Sequence, residues 1–245
     1  MEYDFDQKLF EELKERYNNV TSLIEEECRK AGRAPQDVTL VGVSKVFPVS
    51  YAEAAVVAGL RDLGENRVQE LVPKIERMNE LDLKPNWHLI GTLQKNKVKY
   101  IIGKTHLIHS VDSIELAAEI SKRSETAGIV SDILLQGNIS GEESKHGFTK
   151  EGLKDALSKT NEMTGIRVRG LMTMAPIQTY EGEARGVLSE TRNVFEDLKG
   201  EVRDPAAWNT LSMGMSQDYP WAIAEGSTMI RIGTAIFGDR KSYNA

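Results

Sequence analysis

Apolar residues recur every third or fourth position through the first thirty residues. Phe5, Leu9, Leu13, Tyr17, Val20, Ile24 and Cys28 fall on one face, and charged residues fill the other. This is the pattern of an amphipathic helix. Gly32, with Pro35 beyond it, predicts where that helix stops. The spacing also suits a coiled coil, but the alternating pattern beyond residue 38 favours docking on the same chain.

From residue 38 the pattern changes to short apolar runs alternating with amphipathic stretches. Strands are predicted at 38–44 (VTLVGVS), 61–64 (RDLG), 86–90 (NWHLI), 105–110 (THLIHS), 130–138 (VSDILLQGN), 168–175 (VRGLMTMA), 207–212 (AWNTLS) and 228–232 (TMIRI). Helices are predicted between them. Ser50 with Glu53 reads as a capping box for a helix ending at Gly59, and Asp112 with Glu115 as another for a helix reaching Gly128. Asn66 is placed to cap a helix with Val68, Leu71, Val72, Ile75 and Met78 inward, which Pro73 should kink or shorten. Further helices are expected over 92–102, 149–163 and 181–199, with a short one after Ser216 and a helical turn in GTAIFG.

Eight strand-then-helix units in about 210 residues, roughly 26 each, match the period of a parallel α/β fold. Eight units also match a closed (β/α)8 TIM barrel of about 250 residues. An open doubly wound sheet is the rival. The number of units and the lack of a Gly-x-Gly-x-x-Gly run after the first strand weigh against it. No long linker interrupts the pattern. The chain therefore reads as one domain over 1–245, with an N-terminal helix in 1–34 available to cover a barrel face and the barrel over 38–238.

Composition narrows the function classes. The net charge is −6, from 31 Lys and Arg against 37 Asp and Glu, with no dominant basic tract. Non-specific binding to nucleic acid is not expected. The single cysteine, Cys28, allows no internal disulfide and no cysteine cluster for zinc. The N-terminus lacks a secretory pattern, and no apolar run approaches the roughly 18 residues that span a bilayer. A soluble, cytoplasmic protein without membrane contact is expected.

In a barrel, chemistry gathers at the C-terminal ends of the strands. The first strand ends in Ser44-Lys45. A packed mouth disfavours the charged form of an amine, and a neutral amine is what a Schiff base requires. Alternatively, Lys45 marks only the exit into solvent. Asn66 and Arg67 follow the second strand as donors, or as a helix cap and a surface ion pair. His88 on the third strand lines the barrel either as a hydrogen-bonded neutral ring or as a cofactor-facing group. His106 and His109 lie on the next unit, but no carboxylate joins them at a metal-ligand spacing, and no metal site is expected. The fifth strand ends in Gln136 and Asn138, followed by a loop with Lys145, His146 and Gly147. Met172 and Met174 on the sixth read as core filling, or as one wall of a flat ligand.

The last two strand ends say most. LSMGMS places Ser212, Gly214 and Ser216 in one short loop, and Gly233 and Thr234 open a helical turn directly after the eighth strand. Such a turn presents free N–H groups and lets an anion approach, and these two loops make the phosphate site of many barrels. Glycines as turn punctuation are the plainer reading. Arg231, two residues before Gly233, would need a buried acceptor such as a ring nitrogen. An amine on one side and a phosphate nest on the other bracket a ligand with both an aldehyde and a phosphate.

VGVSK, LGENRVQE, WHLIGTLQKNK, IHSVDS, SKHGF, LSMGMSQDY and RIGTAIFG together resemble the pyridoxal phosphate homeostasis protein family, the YggS or PROSC type. The likeness runs from about residue 38 to 238, in order. It implies a barrel similar to the N-terminal domain of alanine racemase, with pyridoxal 5'-phosphate on Lys45 as a Schiff base. It further implies phosphate contacts at Ser212, Gly233 and Thr234, with Met213 nearby. Arg231 would face the pyridine nitrogen, and Asn66 and His88 would line the ring. Two departures are visible: Thr92 where many relatives have proline, and His146 in a segment where many have serine. Neither touches the proposed attachment or phosphate residues.

The resemblance also separates a carrier from an enzyme. Racemases need two opposed acid/base groups, the second from a tyrosine in an additional domain, and only seven residues follow Gly238. Losing half of such a pair should cost orders of magnitude in rate. The expectation is a binding protein of vitamin B6 homeostasis with no catalytic residues, a monomer that contacts apo-enzymes transiently at most. The alternative is a low-activity pyridoxal phosphate-dependent amino-acid racemase.

Overall fold

The computed structural model describes residues 3–142, 146–176 and 180–239. Eight parallel strands, β1 (Thr39–Val43), β2 (Asp62–Glu65), β3 (Asn86–Leu89), β4 (Leu107–Val111), β5 (Ser131–Gln136), β6 (Ile166–Met172), β7 (Thr210–Met215) and β8 (Met229–Ile232), close in chain order. β8 seals against β1, with Thr39 opposite Met229 and Gly42 opposite Ile232. This is the (β/α)8 barrel expected from the repeat of patterns.

The two-residue period of a strand sorts each run into two cores. Leu63, Leu89, Ile108, Ile133, Leu135, Leu171, Leu211 and Ile230 belong to the large core between barrel and helices. The alternate residues Val41, Leu107, Leu134, Met172 and Met229 form a separate small cluster within the barrel. Both faces are buried, so the strands read as near-continuous apolar runs.

The outer layer is α1 (Gln7–Lys30), α2 (Val49–Val57), α3 (Val68–Glu80), α4 (Ile114–Thr126), α5 (Lys150–Asn161), α6 (Glu181–Leu198), α7 (Tyr219–Ala224) and α8 (Thr234–Phe237). Asp6 caps α1 by accepting from the Leu9 N–H at 2.8 Å, and Arg29 and Lys30 complement its C-terminal dipole. Its buried residues are Leu13, Val20, Ile24 and Cys28, and it packs on α2, α7 and α8. α8 is one turn long, too short to cover the β8–β1 seam. α1 fills that part of the ring rather than closing a barrel mouth. Arg33, just past α1, ties it down by donating to the carbonyls of Ile223 (2.9 Å) and Ser227 (2.7 Å).

Several local expectations are corrected. The helix expected over 92–102 is a 3-10 helix, Lys95–Tyr100. The buried Val98 within it and Ile101 at its C-cap are three apart, the period of that tighter helix. Neither predicted capping box forms: Pro48 and Ser113 precede α2 and α4 with no side-chain cap. Glu53 instead accepts from Arg77 Nε (3.0 Å) and the Asp4 N–H (2.8 Å), so tertiary partners displace the local one. Asn66 does not cap α3; Arg67 stands at that position without a side-chain bond. α3 runs through Pro73, because the carbonyl left without its donor is that of the exposed Gln69, where water reaches it.

β7 lies three residues later than expected. The apolar Trp208 serves the helix layer, stacking on Phe195 at 4.9 Å and donating to its carbonyl at 2.9 Å. Ser212 and Gly214 are thus in the strand and not in a loop. No helix among the described residues is long and apolar enough to cross a membrane.

Candidate functional site at the C-terminal mouth

Lys45 leaves β1 in a tight turn closed by the Phe47 N–H on the Ser44 carbonyl (3.2 Å). Val46 holds φ = 67°, a left-handed conformation that a β-branched residue rarely adopts. Its N–H donates to Glu70 Oε2 at 2.8 Å. Beneath the turn, Lys74 Nζ donates to the Ser44 carbonyl (2.8 Å) and to Glu65 Oε1 (2.5 Å), and Ser44 Oγ donates to the same oxygen (2.6 Å). Glu65 and Ser44 are fully buried. Burial pushes the Glu65 carboxyl above the usual range, opposed by Lys74's charge and by the hydrogen bonds from Lys74 and Ser44. Its Oε2 has no hydrogen-bond partner. The end of β2 and the first two turns of α3 thus lock the lysine-bearing turn.

A cavity of about 380 Å³ opens at this mouth. Lys45, Asn66, Arg231, Gly233 and Thr234, all singled out in the sequence, line it together. Its volume is that of a small-molecule site. Gly91 also lines it, and a Cβ there would sit 2.4 Å from the Asn66 carbonyl oxygen, so glycine lets the β3 loop meet the β2 loop. Arg231 is buried, and desolvation lowers its pKa to about 10, with the charge of Asp218 opposing. Its guanidinium donates to Ser212 Oγ (2.5 Å) and the Thr173 carbonyl (2.9 Å). The Thr234 and Ala235 N–H groups, in the first turn of α8, have no acceptor within the helix.

Three expected residues lie outside this lining. Met213 points outward into the barrel–helix core. Ser212 and His88 are fully buried inside the barrel. His88 binds Asp62 Oδ1 (2.9 Å) and His109 Nε2 (2.9 Å), and His109 Nδ1 meets Ser212 Oγ (3.0 Å). Burial lowers the pKa of His88, opposed by Asp62, and lowers that of His109 well below the usual value. Burial raises the Asp62 carboxyl, but the hydrogen bond and charge of His88 bring it below its ordinary value. These ring nitrogens are therefore spent on hydrogen bonds. Arg67 is exposed and 3.9 Å from Glu70, the surface pair that the sequence allowed.

Gln136, Met174, Met215 and Ser216 also line it. Ser216 was expected in the phosphate loop and Met174 as one wall of a flat ligand, whereas Gln136 and Met215 were not marked as binding residues. Gln136 carried a usable signal, a polar residue ending an apolar strand, and its amide donates to the His146 carbonyl at 2.9 Å. Met215 carried none. A register shift between Ser212 and Met215, with Gly214 at φ = 95°, breaks the alternation that counting relies on. Lys145 lies outside the described residues.

The family model of the alanine racemase N-terminal domain matches residues 24–241. A pyridoxal phosphate homeostasis protein of Aquifex aeolicus (strain VF5) is 43% identical over 227 residues, 93% of this chain and 98% of the relative. The chain belongs to the pyridoxal phosphate homeostasis proteins. The motif resemblance and the barrel agree with this assignment. Among solved structures, PipY of Synechococcus elongatus PCC7942 with PLP bound superposes at TM-score 0.79, with 32% identity, over 92% of this chain and 100% of that one. An alanine racemase of Clostridium difficile 630 has TM-score 0.68 at 15% identity, covering 92% of this chain and 56% of that chain, and shows the shared barrel alone. Membership in this family turns the cavity at the C-terminal mouth into the natural place to look for a cofactor.

Proposed function

We propose that this protein binds pyridoxal 5'-phosphate and serves vitamin B6 homeostasis, holding the cofactor reversibly rather than turning over an amino acid. The observation that carries this reading is the single cavity shared by Lys45, Arg231, Gly233 and Thr234. The donor set fits the group. Residues carrying an amine, a buried guanidinium, two hydroxyls at Ser216 and Thr234, and a first-turn N–H at Thr234 line one space sized for a small molecule. The relatives' name and the PLP-bound PipY support the same ligand.

Bound there, the cofactor supplies an aldehyde that condenses reversibly with an amine and releases water. Lys45 is the residue placed to offer that amine, and the clamp under Ser44 keeps its turn in one conformation. Thr234, Ser216 and Gly233 would hold the phosphate by directed donors. Arg231, which can only donate, would stand toward the ring nitrogen and discourage its protonation, which suits storage better than carbanion chemistry. Asn66 borders the ring. Ser212, Met213 and His88 act one layer down. No residue is assigned to catalysis and none to a metal.

The remaining reading is of one cofactor-binding barrel over 1–245, monomeric and cytoplasmic, making only transient contact with apo-enzymes. Pyridoxal phosphate added to the purified chain should produce a visible absorbance band that borohydride makes permanent. Lys45→Ala should lose both. A variant that kept them would remove Lys45 as the attachment point.

A further inference from the structure

The barrel interior holds a line of polar groups that cofactor binding does not require. Asp62 opens β2 and lines a second cavity, of about 340 Å³, at the opposite mouth. From it the hydrogen bonds run through His88, His109 and Ser212 to Arg231, crossing from β2 to β3, β4, β7 and β8. All four links are between 2.5 and 3.0 Å.

With both imidazoles neutral, the two ends set the direction of every link. A guanidinium cannot accept, so Ser212 Oγ accepts from Arg231. That oxygen has a second lone pair, so the other end decides its proton: with neutral rings and Asp62 accepting from His88, His109 Nδ1 is left as an acceptor and takes the hydrogen bond of the Ser212 hydroxyl. That ring, with Nδ1 accepting, carries its proton on Nε2 and donates to His88 Nδ1. His88 in turn donates from Nε2 to Asp62, which as a carboxylate only accepts. Both imidazoles are neutral Nε2–H tautomers in this arrangement, in keeping with their depressed basicity. A chain pointing one way from cation to anion polarises each link in the same sense. It also spends the Ser212 proton, so that hydroxyl does not donate to a phosphate while the chain stands.

We propose that Asp62, His88, His109 and Ser212 are positioning residues for Arg231, a one-way hydrogen-bonded chain that fixes the guanidinium at the cofactor cavity and makes it answer to the opposite barrel mouth. This rests on the pyridoxal phosphate reading for its effect on binding, but not for the chain itself.

The test has two arms. Nitrogen-15 NMR of the full chain at pH 7, without cofactor, reads the tautomers directly. His88 and His109 should both be neutral with the proton on Nε2; an Nδ1–H form or a charged ring at either position overturns the chain, whatever the protein binds. The second arm titrates pyridoxal phosphate by absorbance. Asp62→Asn removes the anion that anchors the chain and gives that end a donor, so the links are no longer held in one direction and Ser212 is released from it. Couplings of this kind correspond to roughly a 2- to 30-fold loss of affinity, with a shifted absorbance maximum. Asp132→Asn removes the same charge at the same mouth without touching the chain, and should leave both unchanged. Unaltered binding in Asp62→Asn, or an equal effect of Asp132→Asn, overturns the transmission. If the wild type binds no pyridoxal phosphate, the functional reading fails, while the tautomers still decide the chain.

Discussion

Removing Lys74 tests the clamp under the lysine-bearing turn. The Lys74 side chain is 6% exposed and that of Glu65 is 0% exposed, so Lys74→Met leaves a carboxylate in the core with only Ser44 Oγ as donor. Breaking a buried pair from one side costs about 3–5 kcal/mol, more than the pair itself contributes. For a chain of this size, each kcal/mol lowers Tm by about 2–4 °C, so the melt should fall by roughly 6–20 °C. Replacing both partners, Lys74→Met with Glu65→Leu, removes the charge as well and should recover most of the loss.

The pH dependence separates this from lost packing. Glu65 has a raised folded-state pKa, so the folded protein holds its proton more tightly than the unfolded chain. Its contribution is fully present below the unfolded value of about 4.3 and is lost as pH rises through the folded value. Without Lys74 the largest opposing interactions vanish, only the Ser44 hydrogen bond remains, and that window extends upward. The deficit of Lys74→Met should therefore shrink as the pH is lowered from 8 toward 5. Thermal melts by circular dichroism over that range, arranged as a double-mutant cycle, measure it. A loss under about 1 kcal/mol, or a double variant as unstable as the sum of the singles, would refute the clamp.

Two further substitutions probe the mouth. Gly91→Ala puts a methyl 2.4 Å from the Asn66 carbonyl oxygen and should cost about 1–3 kcal/mol while weakening pyridoxal phosphate binding; a neutral result in both melt and titration would mean the two loops do not need this approach. Val46→Gly relieves the left-handed valine, which is exposed and loses little packing. It should stabilise by up to about 1 kcal/mol yet loosen Lys45. A lower Tm, or tighter cofactor binding, would count against strain held for function.

Particular residues show how far the chain could be read directly. The strand-and-helix repeat was legible because each strand is buried on both faces and each helix on one, so hydrophobic period and burial coincide. Lys45, Asn66, Arg231, Gly233 and Thr234 were legible as cavity residues for the same reason. In a parallel barrel, the end of a strand has one destination. Glu53 was not: its spacing from Ser50 favours a local cap, and only the fold brings Arg77 and the Asp4 N–H within reach.

Met215 was hidden by the bulge at Gly214, since a single register shift reverses the face of everything beyond it. His88 and Ser212 could be placed inside the barrel by alternation, but not joined. Their 124 residues of separation say nothing of the single histidine that bridges them. Period-two and period-3.6 patterns are local properties of a chain, so the sequence by itself determines the elements and which way each faces. Hydrogen bonds across a barrel depend on closure and stagger, which belong to all eight strands at once. Only the tertiary structure decided which polar groups meet.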